Sequence, residues 1–295
     1  ILEELLTVGD DPADHVNDLL ALALWPTHPL GREVLGDEAT VGTLTPDEIR
    51  AFHDRHYTPA TTVLAAAGRV EHGRLADALS RRFDASGRRP GGALPPRLGP
   101  PGPGRPLVVR RQRTEQVHIA LGMPAPGRHD PSRHAVTLLV HILGGGASSR
   151  LFQEVRERRG LAYSVYAYRT GFDDAGMVGV YAGTAPKRAA ETVRVIAGEL
   201  DRLADGASER ELAVARGNIV GSLALGLEDS GARMARIGRS QLVHGTVPTV
   251  DEVAGWFEAV TPDDLARTAA ELLAGPRSLA VVGPVSEAAA GRWLP

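Results

Sequence analysis

The chain of 295 residues has no cysteine. That absence removes disulfides, thiolate metal sites and cysteine nucleophiles together. No apolar run approaches the ~18 residues that a membrane span requires, so no membrane partner is expected. Basic charge is not in excess either. Lys and Arg number 33 against 36 Asp and Glu, for a net charge of −3 and a pI near 6.4. Nucleic-acid-binding domains usually lie above pI ~9, which argues against a nucleic-acid partner. Lysine itself is nearly missing: Lys187 is the only one, a skew that reports genome composition rather than chemistry. What is present is 43% hydrophobic and 23% charged, a globular composition, and the length suits two domains. A cytoplasmic location is expected, with a removed signal peptide as the alternative.

An internal repeat organises the sequence. Thr45-Pro46-Asp47-Glu48 reads as a helix start, with Thr at the cap, Pro at the first helical position and Glu three residues after the cap. Thr261-Pro262-Asp263-Asp264 repeats it with Asp in place of Glu. Each start is followed by a helix and then by an apolar run ending in Gly, Val63–Ala67 before Gly68 and Leu279–Val282 before Gly283. The offsets are 261 − 45 = 216 and 283 − 68 = 215, and His28 and His244 also lie 216 apart. Three matches at one offset predict a duplicated α/β domain. Between the copies, residues 85–105 are rich in Pro and Gly and read as an extended linker.

The second copy opens with strands over Leu107–Arg111 and Gln116–Gly122. Ala135, Leu138, Leu139 and Ile142 then trace the apolar stripe of a helix. Gly144-Gly145-Gly146 ends it. A helix from about Ser148 follows, then strands near Ala162–Tyr168 and Met177–Gly183, and a helix capped by Ser208 with Glu211. Subtracting 216 from the start of this copy places the start of the first near −110, so roughly the first half of domain one is expected upstream of residue 1.

Several motifs, in order, carry a family resemblance: Ile1-Leu2-Glu3-Glu4-Leu5 with Asp10-Asp11-Pro12, His28-Pro29-Leu30-Gly31, and His56-Tyr57-Thr58-Pro59. The most specific is Leu143-Gly144-Gly145-Gly146-Ala147-Ser148-Ser149-Arg150-Leu151-Phe152, continuing through Arg156 to Arg159-Gly160-Leu161-Ala162-Tyr163-Ser164-Val165. The chain resembles, over its whole length, the pitrilysin–insulinase (M16) family of inverted-zincin metallopeptidases, in particular the bacterial branch similar to the mitochondrial processing peptidase. The resemblance implies an α+β fold of duplicated two-layer domains of the LuxS/MPP-like metallohydrolase type. Residues 1–84 would be the C-terminal half of the first domain and residues 106–295 a complete, metal-free second one.

In such enzymes two His of an H-x-x-E-H helix bind Zn²⁺, the Glu between them is the general base, and a later glutamate completes the site. No H-x-x-E-H occurs in this chain; His53-Asp54-Arg55-His56 lacks the Glu and the frame. His141 maps to position −75 of the first copy, so the motif is expected upstream. Glu4 matches the third zinc ligand. Its counterparts in the second copy, Val220, Gly221 and Ser222, cannot bind metal. Arg156 and Tyr163 match the pair that hydrogen-bonds the carbonyls of a bound peptide. Both are donors that would polarise a carbonyl. The resemblance thus implies a zinc endopeptidase acting on short or unfolded polypeptides inside a homodimeric or heterodimeric chamber. Its rival is a non-catalytic or structural subunit that lends the Arg–Tyr pair to a partner. His28, His56 and His118 read as structural, and His15, His53, His72, His129 and His134 as solvent-exposed. The triple Gly lacks the ending of a phosphate loop, and Ser148 and Ser149 lack a triad context.

Overall fold

The structure, a computed structural model, describes residues 1–82 and 101–294. These form two compact units that interleave along the sequence. One holds residues 1–41, 101–216 and 257–294; the other holds residues 42–82 and 217–256.

The first unit is built on a mixed five-stranded sheet. Its strands are β1 (Leu107–Arg111), β2 (Val117–Ala125), β3 (Ala162–Gly171), β4 (Gly176–Thr184) and β5 (Ser278–Gly283), in the order β1-β5-β2-β4-β3. Only β1 and β5 run parallel. β4 and β5 are buried at every residue, which requires cover on both faces of the sheet. Helices Arg133–Gly144, Ala189–Ala204 and Pro262–Leu273 pack on one another and on the strands, forming one cover. The other is the helix Pro12–Leu24. Its Val16, Leu20 and Leu24, with Trp25 just beyond, close over Ala120, Met177, Tyr181, Ala280 and Val282. Residues on the alternate register, Ile119, Leu121, Val180, Leu279 and Val281, point the opposite way and are equally buried. The result is the α+β fold that the resemblance implies.

Local chemistry explains the element boundaries. Asp11 caps Pro12–Leu24 by accepting from the Ala13 and Asp14 amides. The expected strand and helix positions of the second copy are all occupied, with one difference in kind. The segment after Ser148 is a π-helix, Phe152–Arg158. It closes with Leu161 N–H donating to Val155 O and Gly160 N–H to Arg156 O, each partner one residue earlier than in an ordinary α-helical end. Gly160 stands there at φ +57°, in the left-handed region that a side chain would resist.

The second unit is helical, with Pro46–His56, His72–Arg82 and Ser230–His244 among its elements. All three expected capping boxes are formed: Thr45 with Glu48 here, and Ser208 with Glu211 and Thr261 with Asp264 in the first unit. The strand expected over Val63–Ala67 is not. Ser278–Gly283, its counterpart in the repeat, pairs with strands on both sides, whereas Val63–Ala67 enters no sheet among the described residues. A strand exists only where a neighbour satisfies its backbone, and apolar sequence alone does not supply one. The run instead lines an apolar groove of about 630 Å³ with Leu75, Leu79, Ile237 and Val247. The expected linker lies outside the described residues except for 101–105, which carry no helix or strand.

Candidate functional site

Arg156 and Tyr163 come together on one surface of the first unit. Arg156 sits in the last turn of the π-helix, and the chain reverses at Gly160 to enter β3. Simple alternation would put Tyr163 on the strand face of Val165 and Ala167. A β-bulge at Ala162/Ser164 breaks that alternation. Val165 and Ala167 are buried, whereas Tyr163 is 78% exposed, turned out of the core by the extra residue. The guanidinium carbon of Arg156 lies 4.4 Å from the centroid of the Tyr163 ring. It also lies 4.6 Å from the ring of Phe152, one turn earlier. Glu157 pairs with Arg156 at 3.4 Å through Nε. The arrangement presents a guanidinium and a phenol as adjacent hydrogen-bond donors on an accessible surface.

Phe152 was not singled out in the sequence. Its i, i+4 spacing from Arg156 is the signal that could have found it.

Glu4 lies in the first turn of the helix Leu2–Gly9 and is exposed. Among the described residues, no group of three or more His, Cys, Asp or Glu could hold a metal ion. A catalytic zinc takes three protein ligands, so these residues supply one candidate ligand and do not by themselves fit the metal.

Two histidines differ from expectation. His15, expected in solvent, is 7% exposed on the sheet-covering helix, and both ring nitrogens are buried without a hydrogen-bond partner. Burial pushes its pKa down, and Arg110 adds to the effect. His134 is half-buried with its ring edge-on to Phe257 at 5.3 Å. Burial, then Arg133 and Arg169, push its pKa down to about 4. Both sit in polar sequence, but the core packing takes them in. His28 and His118 have the structural roles expected. His28 Nδ1 accepts from Leu30 N–H at 3.2 Å, and His118 Nδ1 lies 2.9 Å from the Tyr181 hydroxyl.

Ser148 and Ser149 line a cavity of about 200 Å³ with His141, Arg210 and Glu211. The carboxylate of Glu211 is engaged elsewhere. It accepts from Arg150 Nε and Nη2 at 2.7 and 3.1 Å and from the Ser208 amide and hydroxyl at 2.8 Å each. The Arg150 bonds foremost hold its pKa down to about 2. Among the described residues, no helix is long and apolar enough to cross a membrane.

Comparison with known proteins gives a consistent picture. The family model described as "Peptidase M16 inactive domain" matches residues 43–219. An uncharacterized zinc protease of Streptomyces coelicolor is 44% identical over 99% of this chain and 65% of its own length. One of Mycobacterium tuberculosis is 42% identical over 96% and 66%, and one of Bacillus subtilis 32% over 96% and 69%. The chain therefore spans about two thirds of the length of the curated relatives it matches. Among solved structures, a peptidase M16 inactive domain from Pseudomonas fluorescens superposes with a TM-score of 0.86 at 22% identity, covering 97% of this chain and 68% of that one. A chain of complex III from Candida albicans gives 0.84 at 21% identity, covering 97% and 70%. At these identities the two structures speak for the fold alone.

Proposed function

This chain belongs to the peptidase M16 family, and from that premise we propose that it is the substrate-holding part of a zinc-dependent endopeptidase acting on short or unfolded polypeptides. The observation that carries the reading is the juxtaposition of Arg156 and Tyr163 on an open surface. A guanidinium N–H and a phenol O–H side by side suit two acceptors on an extended peptide. Donation to the carbonyl being attacked would stabilise the charge that develops on its oxygen. Tyr163 is reached by solvent, so a chain many residues long can approach it.

Zinc, when bound, would polarise the scissile carbonyl and activate water. Among the described residues, Glu4 is the carboxylate that would hold it. Residues 1–84 are read as the C-terminal half of a first peptidase domain and residues 106–295 as a second, metal-free one. Assembly with a second copy or a related subunit would enclose the peptide. The word "inactive" in the matching family description favours a second reading, a non-catalytic subunit that lends the Arg–Tyr pair to an active partner. Glu4 speaks against it, since a subunit with no zinc to hold has no use for that carboxylate.

The test is hydrolysis of a quenched flexible peptide by the full-length protein. Activity should be lost to a chelator and lowered roughly tenfold or more in kcat/KM by Arg156→Gln or Tyr163→Phe. Chelator-insensitive cleavage, or wild-type rates in both variants, would overturn the reading.

A further inference from the structure

We infer that Phe152 is a positioning residue that holds the Arg156 guanidinium in the orientation needed to bind a peptide carbonyl. The inference rests on the reading of Arg156 and Tyr163 as a peptide-binding pair and deepens it. Arginine has four rotatable side-chain bonds, and a free guanidinium on a surface samples many orientations. Each must be surrendered when a carbonyl is bound. Here the guanidinium carbon lies 4.6 Å from the Phe152 ring centroid and 4.4 Å from that of Tyr163, both well inside the ~6 Å range of cation–π attraction. Rings attract a guanidinium through its flat face and leave its in-plane N–H groups directed outward. Two aromatic contacts therefore fix the plane of the group without consuming its donors.

The backbone supports this assignment. Phe152 and Arg156 are four residues apart, so their side chains lie one above the other on the same side of the turn. Phe152 is half-buried beside the buried Leu151 and Val155, which anchors its ring while Arg156 extends outward. Glu157 adds an ion pair to Nε of Arg156 at 3.4 Å. An ion pair at a single nitrogen limits where the group sits more than how its plane is turned. Tyr163 is 78% exposed and can itself move, so Phe152 is the fixed partner of the two.

A double-mutant cycle on peptide binding tests the inference, using fluorescence anisotropy of a labelled unstructured peptide with the purified chain. Phe152→Leu should weaken binding about two- to fivefold, the factor expected for one exposed cation–π contact. Phe152→Tyr, which keeps a ring, should restore it. The effect should disappear when Arg156 is already Gln, because no guanidinium is left to orient. The Arg156 Nε–H resonance, displaced by ring currents in the wild type, should move in Phe152→Leu and return in Phe152→Tyr. If Phe152→Leu weakens binding equally in the Arg156→Gln background, Phe152 acts through packing and the positioning role is wrong. Wild-type affinity in Phe152→Leu with Arg156 intact overturns it as well. If Arg156→Gln alone binds as the wild type does, the peptide-site reading fails, and this inference with it. The resonance would then still report separately whether Phe152 fixes the guanidinium.

Discussion

Removing the charge of Glu211 while keeping its shape, by Glu211→Gln, should destabilise the first unit in a way that depends on pH. Glu211 accepts two bonds from Arg150 and two from Ser208, while Arg150 Nη2 also donates to Gly206 O at 2.9 Å. The carboxylate thereby ties the start of the helix Glu209–Gly226 to Arg150, two residues ahead of the π-helix. A glutamine oxygen can still accept both Ser208 bonds, so the substitution isolates the contact with Arg150. A carboxyl that ordinarily titrates near 4.5 titrates here at about 2. At about 1.4 kcal/mol per pKa unit, the upper bound is about 3 kcal/mol. Its side chain is 31% exposed and that of Arg150 18%, so solvent screening reduces the expected gap to about 1–2 kcal/mol at neutral pH. The folded-state pKa is depressed, so this stability is complete above the unfolded pKa near 4.5 and is lost as pH falls toward about 2. Urea titrations followed by circular dichroism should show a wild-type advantage that is constant from pH 8 to 6 and reduced by roughly half at pH 3.5. A gap of the same size at pH 7 and 3.5, or no gap at pH 7, would refute the reasoning.

Gly144→Ala should cost about 1–3 kcal/mol, because a Cβ there would collide with the backbone nitrogen of Ala167 on β3. Gly146→Ala, with open space around it, should melt with the wild type, and the pair of thermal melts checks both. The ring protons of His134 should titrate near pH 4 by NMR. Its folded pKa is lowered, so the stability it contributes is complete above pH ~6.5 and falls as pH drops toward 4. A Phe at this position should abolish that part of the slope. In the full-length protein, mixing Glu4→Gln and Tyr163→Phe chains should restore part of the activity that each homodimer lacks, if the pair serves the zinc of the partner chain. A mixture with verified subunit exchange and no gain would show that it does not.

Where periodicity is local, the fold is legible in the sequence. The stripe Ala135, Leu138, Leu139 and Ile142 gives its helix, and the runs around Met177–Gly183 and Leu279–Val282 give β4 and β5. Thr45, Thr261 and Ser208 announce their helices because a cap is a short-range bond between residues three apart. What the sequence hides is set at long range. Val63–Ala67 has the composition of a strand, but being one depends on a neighbour. The bulge that turns out Tyr163 leaves no trace in residue type, since it is a mismatch of count between two strands. His15 and His134 stand in polar stretches of the chain, yet the folded packing covers the first and half-covers the second. Arg156 and Tyr163 were found through a motif, and the geometry adds the ring contacts that the motif does not describe.

The place of β5 in the sheet has a consequence for how the protein is made. Among the described residues, β1 is joined to the sheet only through Ser278–Gly283, although Arg111 precedes Gly283 by 283 − 111 = 172 residues. The helix Pro12–Leu24, made long before that strand, packs against Ala280 and Val282 of it. At 5–20 residues per second, the interval from β1 to β5 lasts on the order of ten to thirty seconds. Throughout it, β1 has no ladder partner, the edge of β2 that will receive β5 stays open, and the apolar side of the helix lacks its final cover. Such contacts between distant residues make folding slow and leave sticky edges exposed meanwhile. The step that closes the sheet therefore waits until β5 has been made. A ribosome that stalls before residue 278 releases a product that lacks β5 and cannot complete this sheet.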